Sequence, residues 1–216
     1  MKIENVGLKF NKVLSPLKKV EKIIVHHPAH PTWDIHEIHK YHQEKLKWNG
    51  IGYNYFVTKD GKVQQGRGRN IGAHCAGMNM NPKSLGVSFQ GDFDKQVPTE
   101  VQYRAGAELI AYLLCNEGLQ INDVAGHNAF AATACPGKNF DMNKLKQYVL
   151  EEMNPNAKGS VQEVKKFEVS DATKNAIKNL SQYGIIAADF EVKDSNQAMI
   201  ISMFNNMVKA IKDGKL

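Results

Sequence analysis

The sequence has no long hydrophobic run. No apolar stretch approaches the roughly 20 residues of a membrane-spanning helix, so we predict no membrane span. The N-terminal stretch MKIENVGLKFNKV alternates charged with apolar residues and lacks the apolar centre of a signal peptide. We therefore expect a protein that is made in the cytoplasm and stays there until another agent releases it.

Cysteine and arginine are also scarce. The three cysteines, Cys75, Cys115 and Cys135, are too few and too odd in number for a disulfide framework, which leaves free or metal-bound thiols. Only three of the 28 basic residues are arginines, the side chains best suited to bidentate contacts with phosphates and bases. The net charge of +6 favours a polyanionic surface as partner, but the excess of lysine argues against nucleic acid.

The remaining composition is that of a globular protein, with 42% hydrophobic residues. The β-branched run KIIVHH at 22–27 predicts a buried strand. Asp34 and Glu37 form a capping box, which predicts a helix that ends near Trp48. Further strands are predicted at 51–58 and 62–66, joined by an Asp-Gly hairpin turn, and at 84–91 and near Val124; further helices are predicted at 99–117 and 141–152. Strands and helices mix without regular alternation, so we predict an α/β fold with a central mixed β-sheet flanked by helices.

Composition also divides the chain. Residues 1–153 form the main predicted domain, and the segment NPNAKGS at 154–160 is a linker by composition. Residues 161–216 are predicted to form a small helical module, near the size limit for folding alone. Its first helix begins at Asp171 and carries Ile177 and Leu180. Its second carries Ile200, Phe204, Met207 and Ile211, whose helical spacing suits docking or pairing with a second copy.

Two histidine segments and one cysteine segment could form a metal site. They are IVHH at 24–27, AGH ending at His127, and ACPG around Cys135. A catalytic zinc site uses three protein ligands, with His and Cys as preferred donors, and leaves one position open. In a regular strand His26 and His27 point to opposite faces, so only one can bind the metal, and the pattern does not choose between them. The alternative is that these are core or surface histidines and a structural thiol.

A second histidine set lies on the first predicted helix. His36, His39 and His42 are three residues apart, so His39 shares a helix face with either neighbour and could bind a metal with it. No H-E-x-x-H pattern is present, and we interpret this set as a solvated or partly buried helix face. Cys75 and Cys115 are interpreted as a loop thiol and a buried helix thiol, neither of them a ligand.

The stretch from about Lys22 to Phe140 resembles the type-2 N-acetylmuramoyl-L-alanine amidases, a group that includes phage lysozyme-like amidases and animal peptidoglycan recognition proteins. The motifs that carry the resemblance keep their order over roughly 120 residues. They are VHH at 25–27, WNGIGYNYFVTKDGKVQQGR at 48–67, IGAHCAGMN at 71–79, SLGVSFQGDF at 84–93, AGHNAF at 125–130 and TACPG at 133–137. Together they are far more specific than any single motif.

The resemblance implies a Zn²⁺ cofactor held by His26, His127 and Cys135. Tyr53 matches the family tyrosine beside the metal. Thr133 takes a place where some phage members carry a lysine and recognition-protein amidases carry a threonine, so the two hydroxyls are candidate donors to the oxyanion.

His74, in the GAHCAG loop, matches a position that lines the substrate groove. The implied reaction is hydrolysis of the amide between N-acetylmuramic acid and L-alanine, in which zinc makes water more acidic. Zinc-bound water and Tyr53 are the two candidates for the donor of the proton to the leaving amine.

The resemblance favours one biological role over three alternatives. The favoured role is that of a phage or prophage endolysin, in which residues 161–216 bind the cell wall or form a homodimer. One alternative is a non-catalytic module that binds peptidoglycan, although such relatives typically lose the cysteine that is present here as Cys135. A host autolysin and a regulatory partner of RNA polymerase are the others.

Overall fold

The computed structural model describes residues 1–154, residues 171–182 and residue 208. Within these residues the strands are β1 (Ile3–Glu4), β2 (Lys22–His26), β3 (Tyr55–Val57), β4 (Val63–Gln65), β5 (Ser84–Phe89) and β6 (Val124–Gly126). The helices are α1 (Ile35–Glu44), α2 (Glu100–Glu117), α3 (Met142–Met153) and α4 (Asp171–Gln182). Between these elements lie short 3₁₀ turns at Gly77–Asn79, Ile121–Asp123 and His127–Ala129.

The six strands form one mixed sheet in the order β1-β4-β3-β5-β2-β6. β3 and β4 pair antiparallel, as the Asp-Gly hairpin predicts, and the other neighbours pair in parallel. The predicted α/β fold with a central mixed sheet is therefore confirmed. β2 lies between β5 and β6, so the carboxyl ends of three parallel strands meet at one edge of the sheet.

The two faces of β2 pack against different parts of the protein. Val25 belongs to the largest core cluster, which also contains residues of α2 and α3. Ile24 belongs to a smaller cluster with Cys75. Because successive side chains of a strand point to opposite faces, His26 shares the face of Ile24 and His27 that of Val25. The sheet therefore separates the two adjacent histidines.

The start of α1 follows the sequence more closely than its end. Asp34 and Glu37 make both hydrogen bonds of the predicted capping box. The helix ends at Glu44 rather than near Trp48, because the chain leaves helical geometry before Lys47, whose φ is 59°. At α2, Thr99 and Gln102 also have the spacing of a capping box, and the Thr99 hydroxyl accepts from the Gln102 amide. The second bond of the box is absent, because the Gln102 side-chain oxygen does not accept from the Thr99 amide; its NH₂ group donates to the carbonyls of Val57 and Gln90.

The chain divides into two compact units, Met1–Lys158 and Gly159–Leu216. In the second unit, Ala176 and Leu180 of α4 are buried, and Val208 packs against them. The second helix predicted for this unit, with Ile200, Phe204, Met207 and Ile211, lies outside the described residues, as do residues 155–160 of the predicted linker. The wall-binding and dimerisation roles of 161–216 stay predictions.

No helix among the described residues combines the length and the apolar character that a membrane crossing requires.

Candidate metal centre and its cleft

The two candidate histidines of the metal site lie at the ends of neighbouring parallel strands. His26 is the last residue of β2, and His127 follows directly after β6. Since β2 and β6 pair in parallel, with Val25 opposite Gly126, both imidazoles reach the same edge of the sheet. The sheet register, rather than the sequence spacing, therefore brings the two rings together, with centroids 4.5 Å apart.

Cys135 reaches the same edge from the loop between β6 and α3. The loop is held by the Asn128 amide, which donates to the Cys135 carbonyl at 2.9 Å. The Thr133 hydroxyl accepts from the Cys135 amide at 3.2 Å, and the His27 amide donates to the thiol sulfur at 3.4 Å. These contacts fix the thiol beside the end of β2.

One nitrogen of His26, one nitrogen of His127 and the sulfur of Cys135 lie within 4.8 Å of one another. Nδ1 of His26 is 3.6 Å from the Cys135 sulfur. Among the described residues, this is the group of three His, Cys, Asp or Glu side chains whose atoms converge in the manner of a metal site. His27 is not part of it, because its ring lies on the other face of the sheet, where Nδ1 accepts from the Phe93 amide at 3.0 Å.

Burial keeps the three donors uncharged. It lowers the pKa of His26 far below the ordinary value, and the neighbouring His74 and His127 rings lower it further. Burial also lowers the pKa of His127 and raises the pKa of the Cys135 thiol to about 12. At neutral pH both imidazoles therefore keep a free lone pair, as a metal ligand requires.

Tyr53 and Thr133 border the same cavity of about 360 Å³ as the triad. The Tyr53 hydroxyl donates to the His27 carbonyl at 3.3 Å. Burial, and secondarily Cys135, raise the pKa of Tyr53 above its ordinary value, so the hydroxyl stays protonated and able to donate. Thr133 is exposed, with its hydroxyl turned to the Cys135 amide. The structure thus brings both predicted hydroxyl residues to the triad.

His74 lies between this cavity and a neighbouring one of about 560 Å³, and it lines both. Its Nδ1 is 3.0 Å from Nε2 of His26. Several residues that line these cavities were not predicted as site residues from the sequence, among them Asp94 and Trp48. Asp94 borders the first cavity, and Trp48, 40% exposed, borders both. Trp48 had a signal, being in the matching stretch 48–67, whereas nothing local in the sequence marks Asp94.

Two of the three histidines on α1 accept hydrogen bonds from backbone amides instead of facing one another as metal ligands would. Nδ1 of His39 accepts from the Ile51 amide at 3.2 Å, and Nδ1 of His42 accepts from the Gly52 amide at 3.0 Å. His36 is exposed. The two buried imidazoles hold the segment that leads to Tyr53, so the interpretation as a partly buried helix face fits better than a second metal site.

This arrangement predicts acid sensitivity. Burial, with Arg67 and His39, lowers the pKa of His42 to about 4 from the 6.5 expected in the unfolded chain. A depressed histidine pKa contributes stability that is complete above about 6.5 and is lost as the pH falls toward 4, by about 3 kcal/mol at most. We expect the unfolding free energy to decline over this window, and to decline less in His42→Asn, which keeps an acceptor for Gly52 but does not titrate. An unchanged slope, measured by urea unfolding, would contradict this origin.

Residues 16–138, more than half of the chain, match the N-acetylmuramoyl-L-alanine amidase family. The chain therefore belongs to this family.

Individual relatives agree with this membership. Peptidoglycan-recognition protein SC2 of Drosophila melanogaster is 36% identical over 108 residues, which cover 49% of this chain and 58% of that protein. A human N-acetylmuramoyl-L-alanine amidase is 34% identical over 128 residues, 53% of this chain and 22% of the relative. The chain thus spans just over half the length of the fly relative and less of the human one.

Among solved structures, an endolysin from Clostridium intestinale, the N-acetylmuramoyl-L-alanine amidase LysCS, superposes with a TM-score of 0.64 at 26% identity. The match covers 69% of this chain and 95% of that one. Drosophila PGRP-LB, solved as a mutant in complex with tracheal cytotoxin, gives a TM-score of 0.58 at 25% identity, covering 64% and 89%.

Proposed function

We propose that this protein hydrolyses the amide bond between N-acetylmuramic acid and L-alanine in bacterial peptidoglycan, with zinc held by His26, His127 and Cys135. The observation that carries the proposal is the convergence of these three donors within 4.8 Å at the base of a cleft. Family membership and the amidases among the relatives support the reaction.

The donor set suits zinc. Two neutral imidazoles and one thiolate are preferred zinc ligands, and three protein ligands leave a position open for catalysis. On a shared tetrahedral ion, a thiolate and an imidazole nitrogen are about 3.6 Å apart, from typical zinc bond lengths. The 3.6 Å between the Cys135 sulfur and Nδ1 of His26 fits this value. The backbone amide of His27, 3.4 Å from the sulfur, would help to stabilise the thiolate.

The reaction adds water to an amide carbonyl and releases an amine. Bound zinc supplies a Lewis acid beside the cleft, which polarises carbonyl groups and makes water more acidic. The chain supplies hydrogen-bond donors for the oxygen that becomes negative: the protonated Tyr53 hydroxyl and the exposed Thr133 hydroxyl. His74 and Trp48 line both cavities, and we propose that they border the path of the substrate.

The biological role that we propose is cell lysis as a phage endolysin, held in the cytoplasm until release. The similarity to the Clostridium endolysin, over nearly all of that chain, supports it. A host autolysin would use the same chemistry. A non-catalytic recognition module is the alternative suggested by the peptidoglycan-recognition relatives; the presence of Cys135 beside both histidines favours an enzyme.

Mass spectrometry of fragments released from defined peptidoglycans tests the proposal. We expect glycan chains with free lactyl groups and stem peptides with a new L-alanine amino terminus, and we expect chelation to stop their release and added zinc to restore it. Glycans already stripped of stem peptides serve as the control and should give no new product. Tight wall binding without any cleavage would contradict the enzyme and favour the recognition module.

A further inference from the structure

The His74 side chain contacts the candidate zinc ligand His26 directly. It is 8% exposed, its Nδ1 lies 3.0 Å from Nε2 of His26, and the two rings meet edge to face with centroids 4.9 Å apart. The other nitrogen of His26, Nδ1, is the one that lies 3.6 Å from the Cys135 sulfur. The two nitrogens of His26 therefore face two different partners.

This division of the His26 nitrogens has a chemical consequence. If Nδ1 uses its lone pair to bind a metal, Nε2 carries the ring proton and needs an acceptor. Nδ1 of His74 lies at hydrogen-bond distance to accept that proton. Metal-binding histidines commonly donate their second N–H to such a partner, which fixes both the tautomer and the ring orientation. We propose that His74 is a positioning residue that holds His26 in the metal-binding tautomer; this inference rests on the zinc site proposed above.

The surrounding backbone is shaped around the His74 ring. A Cβ atom at Gly72 would lie 2.3 Å from Cδ2 of His74, and one at Gly86 would lie 2.5 Å from its Cγ. Gly86 is in the interior of β5, where glycine weakens a strand and commonly marks a close approach. The His74 imidazole occupies the space that a side chain at either glycine would need, so the absence of these side chains allows the ring to pack against the sheet.

The backbone of the His74 loop is fixed as well. The side-chain oxygen of Asn81 accepts from the His74 amide at 2.9 Å and from the Cys75 amide at 2.8 Å. Because the backbone of His74 is held by Asn81 and its ring is enclosed by Gly72 and Gly86, the His74 side chain cannot easily move away from His26. A residue that served only to contact substrate would not need this hydrogen bond to a ligand.

A matched pair of variants separates the hydrogen bond from packing. His74→Asn and His74→Leu have nearly the same shape, but only Asn offers an acceptor near the position of Nδ1. We expect His74→Leu to bind zinc 10- to 100-fold more weakly, the range typical for loss of a hydrogen-bond partner of a ligand, and His74→Asn to recover most of that loss. Zinc affinity is measured by competition with a chromophoric chelator, and thermal melts of the metal-free proteins check that both variants fold.

A second measurement needs no variant. With zinc bound, histidine-selective ¹⁵N NMR of the unaltered protein should show His26 with its proton on Nε2, protected from exchange. Wild-type zinc affinity in His74→Leu, equal losses in both variants, or a proton on Nδ1 of His26 would each overturn the inference. If the unaltered protein binds no zinc or cuts no amide, the proposed function fails instead, so the two failures are distinguishable.

Discussion

Replacement of Cys135 by alanine is expected to weaken zinc binding by roughly 100-fold, so that the ion is lost on gel filtration, and to abolish hydrolysis of peptidoglycan. Cys135 is the one anionic donor of the triad once zinc has displaced its proton. Zinc sites with four ligands bind with about 10–16 kcal/mol, so one ligand contributes on the order of 3 kcal/mol, or roughly 100-fold in affinity. The remaining two histidines would also leave the ion poorly held for catalysis.

Two measurements check this prediction: zinc content after gel filtration, and release of stem peptides from purified walls. Cys115→Ala is the matched control, because Cys115 is an exposed free thiol on α2 and its loss should change neither quantity. A thermal melt establishes that the Cys135 variant is folded. A folded Cys135→Ala protein that still clears a Gram-positive wall suspension would show that the proposed site is wrong.

Tyr53→Phe is expected to lower kcat by about 100-fold while zinc affinity stays unchanged. The substitution removes only the hydroxyl, which lies beside the triad and donates to the His27 carbonyl at 3.3 Å. If that hydroxyl moves to the developing oxyanion, its loss raises the barrier by the amount typical of one such donor. The ring itself, 5.3 Å from the His26 ring, remains to pack.

The control for Tyr53 is Tyr55→Phe. Tyr55 is two residues away, but its side chain belongs to the core cluster that contains α2, away from the triad. We expect wild-type kcat and KM for this variant. A rise in KM without a fall in kcat for Tyr53→Phe would assign Tyr53 to substrate binding instead.

The sequence predicts the parts of this protein that depend on local pattern. The β-branched run before His26 predicts β2, and Asp34 with Glu37 predicts the start of α1. The Asp-Gly turn predicts the β3–β4 hairpin. The residue pattern predicts the three metal-site segments, but it does not choose between His26 and His27, and the choice of His26 came from the family resemblance.

Local pattern fails where a side chain finds a distant partner. Gln102 has the spacing of a capping-box residue, but its side-chain NH₂ group donates hydrogen bonds to the carbonyls of Val57 and Gln90. His39 and His42 have the spacing of metal ligands, but Nδ1 of each ring accepts a hydrogen bond from a backbone amide of the loop at Ile51 and Gly52. Cys115 was predicted to be buried and is exposed, because its position on α2 faces away from the core. The two-residue strand β1 is too short to leave a pattern.

Cys135 contacts His26 at the end of β2, although the two residues are 109 positions apart in the sequence. A metal ion shared by His26 and Cys135 would thus act as a cross-link over half of the chain, much as a long-range disulfide does. Since such an ion binds only the folded protein, it would favour the folded state by mass action. Resistance to unfolding would then follow the supply of metal, so that the same three side chains would govern both the reaction and the lifetime of the protein.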